Sequence, residues 1–253
     1  MEKICIYNEK GGVGKTTIGL LLAGYLAYCK GKRVCVLDFD YPTYHFSEVR
    51  SSEERFLRDP RSPLSVWMRD NAPALPPYDI CRVPTNKAGV YTPAAVFPFV
   101  SGLRGSGADY LLYDFPGRFT QDEPMSFLAA NGFIDKVVIP MDTDMQSRRS
   151  ALFIADAMQR NGIACTAFWN RVSVFERSGT GERFRRGAEP FIQRGLTVMN
   201  EVVRDIRKFS RDSDEHLFIR STMCFPERYI RQWAPSLFPF LESLTAFIDN
   251  NKK

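Results

Sequence analysis

Histidine is scarce in this chain, and cysteine follows no pairing pattern. His45 and His216 stand far apart, with no cysteine or second histidine at ligand spacing, so a zinc-type site is not expected. The six cysteines (Cys5, Cys29, Cys35, Cys81, Cys165, Cys224) contain no Cys-x-x-Cys pair. Cys5, Cys35 and Cys165 fall inside apolar runs, where they read as small core residues of a reducing cytosol and not as a disulfide frame. No apolar run is long enough to span a bilayer. The first residues lead directly into a strand pattern, so no signal peptide is expected. Internal repeats and low-complexity tracts are also missing.

What is there is an ordinary globular composition. The 253 residues are 44% hydrophobic and 25% charged, enough for one large α/β domain over residues 1–253. The net charge of +5 leans mildly toward a polyanionic partner.

The chain is organised around Asn8–Thr17, Asn-Glu-Lys-Gly-Gly-Val-Gly-Lys-Thr-Thr. Lys3–Tyr7 reads as a buried strand before it and Ile18–Tyr28 as a helix after it. A glycine-rich turn from strand to helix N-terminus is an anion site, because backbone N–H groups converge there and the helix dipole favours negative charge. In that arrangement Lys15 reaches the outer phosphates of a nucleotide and the Thr16 hydroxyl ligates Mg²⁺. Gly11, Gly12, Val13, Gly14 and Thr17 complete the candidate phosphate cradle.

The run Lys10-Gly-Gly-Val-Gly-Lys-Thr-Thr17 resembles the deviant P-loop of the ParA/MinD family of ATPases, with Glu9 where the common motif has its first glycine. The resemblance implies that Lys10 crosses a dimer interface to touch the ATP of a second subunit. The charge argument agrees: two triphosphates face to face need cations from both sides.

Further along, Lys32–Phe39 reads as a second strand ending in Asp38-Phe39-Asp40-Tyr41-Pro42. Carboxylates at the C-terminal edge of a parallel strand lie where open α/β sheets bind ligands. Asp40 is expected to position an attacking water and Asp38 to support the Mg²⁺ shell, with helix capping as the alternative use of both. ParA and MinD relatives carry a similar Asp-x-Asp, and Asp40-Tyr-Pro through Glu48-x-Arg50 looks like ParA-like ATPases of conjugative elements. Ala108–Phe115 is an apolar strand ending in Asp114, a Walker B arrangement that holds Mg²⁺ through water; Gly117 replaces the second proline usual in the family.

The remaining pattern gives helices over Tyr44–Asp59, Ser62–Arg69 (with Trp67 and Met68), Pro93–Leu103, Arg148–Arg160 and Gly179–Arg194, and strands over Tyr78–Pro84, Ile134–Pro140, Ile163–Trp169 and Leu196–Val203. Asn170 and Arg171 follow one of these strands and are candidate nucleotide-binding residues. In related ATPases the matching Asn reads adenine, a task its donor-plus-acceptor amide suits; a plain turn residue is the alternative. Arg204, Arg207, Lys208 and Arg211, then Arg220, Arg228 and Arg231, make a basic but interleaved stretch, either an ordinary mixed surface or a face for duplex DNA without sequence preference. Pro235–Asp249 is an apolar-faced helix expected to pack on the sheet; a basic membrane helix of the MinD kind would need more than Lys252 and Lys253.

Together these predict a single doubly wound, mostly parallel α/β sheet with helices on both faces. The resemblance implies a slow, partner-stimulated ATP hydrolase using ATP and Mg²⁺. It implies a homodimer formed on ATP binding, non-specific duplex DNA and a stimulating protein as partners, and a cytoplasmic location. The task would be segregation, positioning or transfer of a plasmid or mobile element. The rivals are a MinD-like membrane-positioning ATPase and a metabolic ATP-dependent enzyme on the same fold.

Overall fold

Short apolar runs, buried on both faces, make the centre of the sheet. β1 (Glu2–Ile6), β2 (Val34–Asp38), β4 (Tyr110–Asp114) and β5 (Lys136–Met141) read as near-continuous hydrophobic segments, the signature of strands covered by helices on both sides. The computed structural model describes residues 1–61, 78–116, 124–173, 180–205, 231 and 234–250. Within them β3 (Asp79–Arg82), β6 (Ala164–Val172) and β7 (Thr197–Arg204) complete a seven-stranded sheet of order β3-β2-β4-β1-β5-β6-β7. Every pairing is parallel. The edge strand β3 is four residues long and carries charge at both ends, which blunts an exposed edge.

The helices divide between two apolar layers. On one face lie α1 (Lys15–Gly24, continued by a wider π-type turn at Tyr25–Cys29), α2 (His45–Arg58) and the last helix of the chain, Leu237–Asp249, with Ile4, Ile6, Val36, Leu112 and Phe168 beneath them. On the other lie α3 (Pro93–Gly102), α4 (Pro124–Ala130), α5 (Met145–Arg160) and α6 (Thr180–Ile192), over Cys5, Leu37, Leu111, Val137 and Trp169. Crossing of α1 and α2 depends on Gly19: a Cβ there would lie 2.9 Å from the buried ring of Phe46.

The final helix, α7, spends its apolar face inside the fold. Leu237, Phe238, Phe240, Leu241, Leu244 and Ile248 are buried. Its C-terminal end is fastened by Lys136, whose buried ammonium donates to the carbonyls of Phe247, Ile248 and Asn250, and by the Tyr110 hydroxyl, 2.7 Å from Asp249. No described helix is long and apolar enough to cross a membrane.

The expected strands and helices appear with boundaries shifted by a few residues, and α4 is an addition the pattern did not reveal. The predicted helix at Ser62–Arg69 with Trp67 and Met68, Gly117, and the basic residues from Arg207 to Arg228 lie outside the described residues, as do Lys252 and Lys253.

Candidate functional site

Register brings the chemistry together. Ile6, the last residue of β1, pairs with Asp114, and Asp114 pairs with Asp38. The glycine loop and both aspartates therefore leave the sheet at one level, in its middle, where β1 lies between β4 and β5.

The loop's path needs glycine at two points. Gly12 and Gly14 have φ of +72° and +95°, the left-handed region, and Gly14 sits directly before the first residue of α1. Lys15 follows, only 7% exposed, with its ammonium 3.1 Å from the Lys10 carbonyl inside the loop. Burial lowers its pKa, opposed by Asp114 and Asp40. The Thr16 hydroxyl lies 3.1–3.2 Å from both carboxylate oxygens of Asp114.

Asp114 is the most perturbed carboxyl in this cluster. Burial, then the charge of Asp38, push its pKa up to about 8, against the lowering contributed by Thr16 and Lys15. Asp114 and the Thr16 hydroxyl form a hard-oxygen donor pair in which a divalent cation would hold the carboxylate ionised, and this fits Mg²⁺. Asp38, expected in the same metal shell, is committed elsewhere. One of its oxygens accepts from the Ser47 N–H (2.9 Å) and hydroxyl (2.7 Å), the other from the Asp40 N–H (3.1 Å). It caps the start of α2 and shapes the Asp40 loop, and it acts on Asp114 through charge. Asp40 itself is half-buried and acts through charge on Lys15 and Asp114.

The two flanks of the loop are tied to different strands. On one, the Asn8 amide donates to the carbonyls of Pro140 and Ser147, and the Glu9 N–H to the Ser150 hydroxyl. Lys10 turns away from Lys15 and pairs with Asp142 (2.9 Å) and Asp144 (3.4 Å) of its own chain, in the turn before α5. On the other flank, Asn170 donates to the Val13 carbonyl (2.8 Å) and Arg171 to the Gly12 carbonyl (2.8 Å). Neither is in a simple turn. Both lie inside β6, where its register with β7 shifts, and Arg171 adopts φ +57°, rare for a side-chain-bearing residue. These two residues, Gly12, Gly14, Thr17 and the end of β7 at Val203–Asp205 surround a cavity of about 220 Å³ beside the glycine loop.

Residues 4–221 match the model of the CobQ/CobB/MinD/ParA nucleotide binding domain. The chain belongs to that family. Its members are nucleotide-hydrolysing P-loop ATPases. An iron–sulfur cluster carrier protein of Methanocaldococcus jannaschii is 25% identical over 224 residues, covering 81% of this chain and 73% of the relative. The chromosome-partitioning ATPase Soj of Thermus thermophilus is 31% identical over 150 residues, covering 57% of this chain and 56% of Soj. Among solved structures, the MinD cell division protein of Aquifex aeolicus (TM-score 0.64, 17% identity, 97% of each chain) and pNOB8 ParA bound to nonspecific DNA (TM-score 0.62, 16% identity, 99% of each chain) share the fold.

The glycine loop, Asp38, Asp40, Asp114, Asn170 and Arg171 were legible as candidates in the sequence. Asn8, Ser147, Ser150 and the pair Asp142 and Asp144 were not. The only local signal for that pair was its position in a polar turn after a buried strand.

Proposed function

We propose that this chain is an ATP-dependent switch of the ParA type, in which ATP and Mg²⁺ join two copies and hydrolysis separates them. The observation that carries the reading is the opposite orientation of two lysines on one loop. Lys15 turns inward and is buried against the loop, while Lys10 turns outward to an ion pair at the surface. One cation suits the nucleotide of its own chain, and the other would exchange its own carboxylates for the nucleotide of a second copy.

Backbone N–H groups of Gly11–Thr17 and the start of α1 would bind the phosphates, with Lys15 on the β- and γ-phosphates. Mg²⁺ would be held by Thr16 and, through water, by Asp114; bound there, it neutralises charge on the transferred phosphoryl group. Asp40 would orient the attacking water. The cavity at Asn170 would take the base. The Asn170 amide N–H is already given to Val13, which leaves its oxygen to accept from an amino group such as that of adenine. Beside Lys10, an open groove of about 580 Å³ with Glu9, Met145, Arg149 and Phe153 supports a second copy seated on this side.

Duplex DNA and a stimulating protein belong to this reading as partners, with pNOB8 ParA bound to nonspecific DNA and Soj in support. So does a role in segregating, positioning or transferring a plasmid or mobile element. A membrane is not part of it, because the apolar face of α7 is used inside the fold.

Light scattering of Asp40→Ala with and without ATP tests the dimer: a stable twofold increase in mass with ATP is expected, and monomers at saturating ATP would overturn it. DNA binding with ATP against ADP across a salt series tests the partner, with binding expected for ATP and steep loss on adding salt.

A further inference from the structure

We infer that Tyr91 is a positioning residue for Asp40, acting through the backbone of the loop that carries it. The inference rests on the reading of Asp40 as the group that orients water.

The Asp40 loop is held by hydrogen bonds at the peptides on both sides of Asp40. The Asp40 N–H is taken by Asp38, and the Asp40 carbonyl accepts from the Thr43 hydroxyl (3.1 Å) and the Tyr44 N–H. The next peptide, at Tyr41, turns to the other side. Its N–H donates to the Tyr91 hydroxyl at 3.2 Å. At the other end of the loop, the Tyr44 hydroxyl donates to the Val83 carbonyl at 3.4 Å.

The far side of the clamp is itself rigid. Asn86 closes the turn between β3 and α3: its side-chain oxygen accepts from the N–H groups of Ala88 and Val90, both at 2.9 Å. This turn presents Gly89, at φ +75°, directly against the Tyr41 ring; a Cβ there would lie 2.6 Å from the ring edge. The Tyr91 ring packs on Phe39 (centroids 5.2 Å apart), and Phe39 on Phe115 (4.5 Å), the residue after Asp114. Asp40 is thus gripped between its own strand and a turn whose one hydroxyl reaches its neighbour's peptide. A water-orienting carboxylate needs such a grip, since small displacements of a reacting group cost large factors in rate.

Tyr91→Phe removes the hydroxyl and keeps the ring. Single-turnover ATP hydrolysis is expected to fall about tenfold, with ATP and ADP affinity within about twofold of the parent. In the nucleotide-free protein, amide exchange at Tyr41 is expected to speed up about five- to tenfold while core amides of β1 and β4 stay unchanged. An unchanged hydrolysis rate with unchanged Tyr41 exchange overturns the inference. So does a parallel loss of affinity and melting temperature, which marks a merely structural tyrosine. Wild-type turnover in Asp40→Asn would instead overturn the role given to Asp40, and it would be seen without touching Tyr91.

Discussion

On one flank of the glycine loop, Asn170 and Arg171 hold the carbonyls of Val13 and Gly12; on the other, Lys10 is held by two carboxylates. The chemistry differs in how readily it can be exchanged. Asn170 is 5% exposed, and removing it would leave the Val13 carbonyl without that donor, at a cost of about 1–3 kcal/mol. The Lys10 pairs reach solvent, with Lys10 and Asp142 about one-fifth exposed (22% and 19%) and Asp144 53% exposed, so a phosphate can compete for Lys10 from outside. The β6 flank is a fixed wall. The Lys10 flank is a contact that can be made and broken, which is what a switch requires.

The largest effect should come from the exchangeable flank. On the proposed reading Lys10→Ala removes the cation that would meet the phosphate charge of a second copy, so turnover is expected to fall by about 100-fold or more, while nucleotide affinity, which that reading gives to Lys15, stays within a few-fold. Phosphate release and nucleotide titration on the same sample measure both. Normal turnover would mean that the two flanks do not differ in the way described.

The fixed flank should fail in the opposite manner. Gly14→Ala places a Cβ 2.3 Å from the Asn170 amide nitrogen, in a left-handed backbone that alanine resists. A loss of about 1–3 kcal/mol is expected in thermal stability, and ATP and ADP affinity should fall together. Combining it with Asn170→Ala removes the clash and should restore part of the stability, a coupling that a double-mutant cycle reads directly. Additive losses would show that Asn170 does not lean on the loop.

These contrasts also mark what could be seen in the sequence. Residues that act through local pattern were legible: the glycines, because they take left-handed turns without strain; the strands, because parallel strands are continuous apolar runs; and Asp114, because a carboxylate at the buried end of such a run needs a cation or a donor to meet it. Residues that act through distant partners were not. Lys10 finds Asp142 after 132 residues, and no local feature of either announces the other. Asn170 was expected just after its strand, reading adenine, but a shift in pairing carries β6 on through Val172 and brings the amide back over the loop. Asp38 looked like a metal ligand, but its use is set by Ser47, nine residues on, and depends on how α2 leaves the strand. The short helix α4 has too few turns for its periodicity to stand out.

Asp114 extends the comparison to pH. In the unfolded chain its carboxyl titrates near the ordinary 3.8, and in the nucleotide-free fold near 8. Between those values the folded state keeps a proton that the unfolded state has released, so its contribution to stability is full below pH 4 and is lost as the pH rises toward 8. Asp114→Asn should therefore melt higher than the parent at pH 8 and show little difference at pH 4, with thermal melts of both proteins across that range as the measurement. A constant difference at every pH would mean that the carboxyl ionises normally in the fold.

The smallest effect tests how weakly the exchangeable flank is held. Asp142→Asn with Asp144→Asn removes both partners of Lys10, and stability should change by less than about 1 kcal/mol, because the pairs are partly exposed. The consequence should appear in assembly instead. If Lys10 must leave its own carboxylates to meet the nucleotide of a second copy, their loss removes a competitor of that same size, and ATP-dependent dimerisation should occur at a protein concentration about two- to fivefold lower. Sedimentation across a dilution series, with ATP and with ADP, reads the shift. Weaker assembly in this variant would show that the two aspartates serve the dimer directly, and the comparison would then have to be redrawn with Lys10 held from both sides.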